Sequence, residues 1–116
     1  MLKLMYTVII LLLVLATPAM AAKPYSYKTV QKRLAPCIKF IQGKYYSIKP
    51  SGRCCRGLID ISDMMKIGRK DYVTVCKNIK KALLHMNYDP NLIKTGSQQC
   101  RTGFTLPPVG HTTNCA

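Results

Sequence analysis

The chain has 116 residues and a formal net charge of +14, from 18 lysines and arginines against four acidic residues, all of them aspartate. That length suits a single domain with a modest core, and the positive field favours anionic partners such as lipid headgroups or acidic polymers. The scattered aspartates, with His85 and His111, offer no paired carboxylates and no Ser-His-Asp arrangement, so the chain is not expected to be an enzyme.

Met1-Leu2-Lys3 carries one positive charge, Leu4 to Leu15 is apolar except for Thr7, and small residues follow from Ala16 to Ala22. A basic start, a short apolar stretch and an A-x-A-like site make a secretion signal. The apolar run falls short of the roughly 20 residues that span a bilayer. Cleavage is expected after Ala21, so residues 1–21 are removed and 22–116 form one secreted domain, extracellular or in the cell wall. Export makes nucleic acid an unexpected partner, and a monomer is the expected state.

Along the mature chain, Val30, Leu34, Ile38 and Ile41 recur at helical spacing with lysines and arginines between them. Pro36 lies inside this run and predicts a kink, since the periodicity continues beyond it. Gly43 to Gly52 reads as a loop. Ser51 is placed to cap a second helix with Leu58, Ile61 and Met65 in its apolar stripe, ended by Gly68. A third helix is predicted from Arg69 to Met86, with Val75, Ile79, Ala82, Leu83 and Met86 on one face. Asp71 near its start and Lys80 and Lys81 near its end suit the helix dipole. Asp89-Pro90 signals a fourth helix reaching about Gln99, with an N-cap acceptor followed by proline at the first helical position. Gly103, Pro107, Pro108 and Gly110 predict an irregular tail, whose Phe104, Leu106 and Val109 need a surface to cover.

Six cysteines accompany the export signal: Cys37, the doublet Cys54-Cys55, Cys76, Cys100 and Cys115. In a short secreted chain these read as a disulfide framework. Neighbouring cysteines rarely bond each other, because a disulfide wants its Cα atoms roughly 4.4–6.8 Å apart with specific dihedrals. The doublet therefore ties one short segment to two different parts of the chain, and spacing alone leaves the partners open. With every thiol expected in a bridge, no metal site and no cofactor are expected. The fold class is all-α, a four-helix bundle stapled by disulfides.

Leu34-Ala35-Pro36-Cys37, Cys54-Cys55-Arg56-Gly57-Leu58, Asn91-Leu92-Ile93-Lys94 before Cys100, and an apolar tail closing on Cys115 together resemble the plant non-specific lipid-transfer proteins. The resemblance covers nearly all of Tyr25 to Ala116. The family pattern has two further cysteines, which fall here on Tyr27 and Asn78. In the larger, type 1 subfamily those two positions are bonded to each other, so one bridge is lost whole and no thiol is orphaned. The bridges this implies are Cys37–Cys54, Cys55–Cys100 and Cys76–Cys115. The missing one would have pinned the start of the first helix, so a looser N-terminal turn and lower heat resistance are expected, with Tyr27→Cys plus Asn78→Cys raising the melting temperature.

The resemblance also implies helices packed around an apolar tunnel that accepts acyl chains. The lining candidates are Leu34 and Ile38 in the first helix, Leu58 in the second, and Ile79, Ala82 and Leu83 in the third. Ile93 joins them from the fourth helix, and Phe104, Leu106 and Val109 from the tail. Apolar contact is indifferent to headgroup, which predicts broad specificity. At the polar mouth, a family T-x-x-D-R stretch reads Gly68-Arg69-Lys70-Asp71-Tyr72 here. The acid is kept at Asp71, Tyr72 stands where the family has arginine, and Arg69 is a nearby cation. The family's tail tyrosine is missing from Leu106-Pro107-Pro108-Val109-Gly110. The implied activity is extracellular binding and transfer of phospholipids or fatty-acid derivatives. The alternative is a cationic defence protein that disturbs anionic membranes, and a weaker third reading is inhibition of digestive enzymes.

Overall fold

A computed structural model describes residues 26–43 and 49–116. The expected signal segment, residues 1–21, together with residues 22–25 and residues 44–48 of the first loop, lies outside the described residues. All regular structure among the described residues is helical, in four units followed by a tail.

The first unit is kinked where Pro36 predicts it. Helix α1, Tyr27–Leu34, gives way to a 3-10 turn at Ala35–Cys37, and α2, Ile38–Ile41, resumes beyond it. Proline has no N–H to donate and its ring crowds the carbonyl four residues back, so the tighter turn absorbs the mismatch. Ser26 caps α1, its hydroxyl accepting from the Thr29 amide at 3.3 Å. The second unit, α3, spans Gly52–Met65 and is capped by Ser51, which accepts from the Cys54 amide at 3.1 Å. The third, α4, spans Arg69–Ala82, and the fourth, α5, spans Pro90–Gln99 with Asp89 accepting from the Asn91 amide at 2.9 Å.

Two boundaries differ from the sequence expectation. Helix α3 closes at Met65, and Gly68 serves instead as the N-cap of α4, in an extended backbone conformation. Helix α4 stops at Ala82, not Met86. The Leu83 carbonyl accepts from the Met86 amide and from His111 Nε2 at 2.8 Å, so a tail side chain competes for the group that would extend the helix. The chain must then become extended to present Asp89 as a cap, and the Asp89 amide donates to the Ile41 carbonyl at 2.9 Å.

Helix α1 packs against both α3 and α4, while α3 also meets α5. Val30, Leu34, Leu58, Ile61, Val75, Ile79, Leu83, Ile93, Leu106 and Val109 form one buried cluster. Gly57 permits a close helix approach. A Cβ there would lie 2.0 Å from the Arg33 carbonyl oxygen, so only glycine lets α1 rest on α3 at this spacing. Three bridges tie the bundle: Cys37–Cys54 joins the kink to α3, Cys55–Cys100 joins α3 to the end of α5, and Cys76–Cys115 joins α4 to the tail. At the start of α1, the Lys81 ammonium of α4 sits 4.6 Å above the Tyr27 ring. A cation over an aromatic face contributes about 0.5–1 kcal/mol at an exposed site, less than the 2–4 kcal/mol typical of a disulfide.

Candidate functional site

The tail is held to the bundle by its main chain. Helix α5 ends in a Schellman turn: the Arg101 amide donates to the Gln98 carbonyl and the Thr102 amide to the Ser97 carbonyl, each at 3.2 Å, with Arg101 at φ 55°. Two buried serines continue the anchorage. Ser62 donates to the Phe104 carbonyl at 2.9 Å, and Ser97 accepts from the Leu106 amide at 3.0 Å while donating to the Lys94 carbonyl at 2.7 Å. Farther along, the Tyr88 hydroxyl donates to the Val109 carbonyl at 2.7 Å, and burial raises its pKa above the ordinary tyrosine value. Lys80 Nζ donates to the Thr113 carbonyl at 2.6 Å.

This path lays Phe104 against the α3–α4 junction. There the described residues Met65, Lys66, Gly68, Arg69, Tyr72 and Phe104 line a hollow of about 330 Å³. Tyr72 and Phe104 meet edge to face, with ring centroids 6.4 Å apart and an interplanar angle of 76°. Both rings are half-buried, and behind them lies the buried cluster. The floor is thus apolar and the rim carries two cations. Lys66 Nζ lies 2.9 Å from Asp63 Oδ1 in an exposed pair, a contact worth little in water. Ile67, 62% exposed, projects at the same junction.

The sequence-nominated residues divide into three groups here. Phe104, Arg69 and Tyr72 come together at the hollow, whereas Asp71 is not among its lining residues and sits in the first turn of α4. Leu34, Leu58, Ile79, Leu83, Ile93, Leu106 and Val109 are at most 1% exposed, and Ala82 is 8% exposed. A tunnel wide enough for an acyl chain would leave its lining within reach of a water-sized sphere. At these positions the apolar faces close on one another, which removes their surface from water. Ile38 packs at the margin, half-buried.

Sequence reasoning missed Met65, Lys66 and Gly68 as hollow residues, since Met65 reads as core and Gly68 as a helix stop. It also missed Ser62 and Ser97, which look like ordinary polar helix positions until the tail is laid across them. Among the described residues no group of three His, Cys, Asp or Glu could hold a metal ion, and no helix is long and apolar enough to cross a membrane.

The family described as protease inhibitor/seed storage/LTP matches residues 20–115. The chain belongs to this family. A curated relative, a non-specific lipid-transfer protein from Ambrosia artemisiifolia, is 34% identical over 106 residues, covering 91% of this chain and 86% of its own length. No solved structure matches the chain. This family member has six cysteines, all of them paired.

Proposed function

We propose that this family member is a non-enzymatic, exported lipid carrier, released by cleavage after Ala21 and acting as a monomer. It would take the acyl chains of phospholipids or fatty-acid derivatives at the hollow between Met65, Tyr72 and Phe104. The observation that carries the reading is the composition of that hollow: two half-buried aromatic rings over an apolar core, rimmed by Lys66 and Arg69. At about 330 Å³ it reaches the lower end of the roughly 300–1,000 Å³ usual for small-molecule sites. It suits part of a chain; the rest would lie along the apolar wall of Leu106, Leu58, Ile79 and Ile93 by parting side chains now in contact. Each buried methylene contributes about 0.8 kcal/mol, so about ten suffice for the roughly 8 kcal/mol of a micromolar complex before ordering costs are counted. Arg69 would face the headgroup, and Tyr72 would border it in place of the family arginine.

Displacement of a fluorescent fatty acid tests this. Saturable binding on the order of micromolar, with lipid recovered by mass spectrometry from purified protein, supports the carrier. A second reading, membrane disturbance, is favoured by Ile67, 62% exposed between Lys66 and the Arg69 rim. An apolar side chain flanked by cations suits an anionic bilayer surface. Leakage from anionic vesicles without fatty-acid binding would replace the first reading with the second.

A further inference from the structure

Lys32 and Arg33 close α1, and Arg53 and Arg56 open α3; with Pro36 and Gly57 they enclose a second hollow of about 230 Å³ that shares no lining residue with the first. Its floor exists because position 57 has no side chain, which brings the Arg33 carbonyl against the α3 backbone. Its walls are stapled. Cys37–Cys54, with Cα atoms 4.7 Å apart, joins the segment after α1 to the first turn of α3. Arg53 and Arg56 flank the doublet three residues apart, so they share one helix face.

Four cations therefore converge on a rigid concave surface. Asp60 is the acid beside them, its Oδ2 3.2 Å from Arg33 Nε, which leaves Lys32, Arg53 and Arg56 in excess. Arg53 also stands at the positive end of the α3 dipole, where no acidic residue occupies the first turn, and Arg56 follows at the next turn. Cations are disfavoured there and an anion is welcomed. Nothing in packing demands this arrangement, since Lys32, Arg53 and Arg56 are exposed. We propose that the groove binds a phosphoryl anion, the chemistry shared by inorganic phosphate and phospholipid headgroups. The guanidinium forks of Arg53 and Arg56 grip its oxygens in pairs, with Lys32 as a point charge. This site is independent of the acyl-chain reading and holds whether or not the hollow at Phe104 takes lipid.

The test uses the purified, exported, disulfide-bonded protein beside two variants of equal charge: Arg53→Gln with Arg56→Gln, and Lys77→Gln with Lys94→Gln on other helices. Thermal melts confirm that both variants are folded. Inorganic phosphate is titrated while amide resonances are followed, and co-sedimentation is measured with phosphatidic acid, phosphatidylglycerol and phosphatidylcholine vesicles. The expected result is saturable shifts at Arg33, Arg53, Arg56 and Gly57, weakened about tenfold in the arginine variant and under about twofold in the lysine variant. If a headgroup is the physiological source, phosphatidic acid binding falls more in the arginine variant than in the lysine one. If free phosphate is the source, the vesicle arms respond alike in both variants while the phosphate arm still separates them. No saturable phosphate shift, or equal loss in both variants, overturns the proposal, because net charge rather than a site would then account for binding.

Discussion

The hollow at Phe104 and the groove at Arg53 differ modestly in volume and strongly in how they are walled. The groove lies between α1 and α3, where a glycine contact and the Cys37–Cys54 bridge fix the backbone and the lining is cationic. The hollow lies under a tail bonded covalently at Cys100 and Cys115 and tied between them by serine and tyrosine hydrogen bonds, and its lining includes two aromatic rings. Charge is displayed where the chain is covalently stiff, because an anion is recognised by donors held at set positions. Apolar surface is displayed where side chains can re-pack, because hydrocarbon is recognised by area rather than by direction.

Substitution at Gly57 is the strongest way to break this contrast. Gly57→Ala sets a Cβ against backbone on the facing helix, with no flexible side chain to yield, so α1 must back away from α3. A loss of about 3 kcal/mol in urea unfolding is expected, and an unchanged midpoint would show that the two helices are not held at this spacing. Phe104→Ala acts at the other end. It removes the edge-to-face partner of Tyr72 and should weaken fatty-acid binding about tenfold while leaving phosphate binding at the groove unchanged. Parallel changes in both assays would mean that the two hollows are one unit.

Alkaline pH probes the tail anchor. The pKa of Tyr88 is raised from 10.0 by burial, so between the unfolded and folded values the native state holds a proton that the unfolded chain has released. Its contribution is present in full below about pH 10 and is lost as pH rises through the raised value. Thermal melts from pH 9 to 11 should fall more steeply for the wild type than for Tyr88→Phe. The smallest effect is expected at Arg101, which occupies a left-handed conformation at φ 55°. Arg101→Gly should raise stability by about 0.5 kcal/mol, the relief of strain less the entropy glycine adds to the unfolded chain.

Local chemistry made the helix starts legible. Ser51 and Asp89-Pro90 announce caps that need only the next few amides, and Pro36 announces its kink for the same reason. The end of α4 was hidden because His111 acts on Leu83 from a distant part of the chain. Periodicity marked Leu34, Leu58, Ile79 and Ile93 as facing inward but does not distinguish side chains that line a space from side chains that fill it. The basic groove was hidden for a related reason: Lys32 and Arg33 belong to one helix and Arg53 and Arg56 to another, with no spacing that joins the two pairs. Only the tertiary contact at Gly57 makes them one surface.

The tail between Thr102 and Val109 is fastened through main-chain atoms at Phe104, Leu106 and Val109, while the Phe104 ring rests edge-on against Tyr72. A guest arriving beside that ring has side chains to part, the Phe104 ring first among them, rather than a strand of polypeptide to peel away, and exposed side chains reorient in picoseconds to nanoseconds. Loading and release would then proceed without opening the main chain. Amide hydrogen exchange at Phe104 and Leu106 should accordingly be no faster while lipid is being exchanged than in the lipid-free protein.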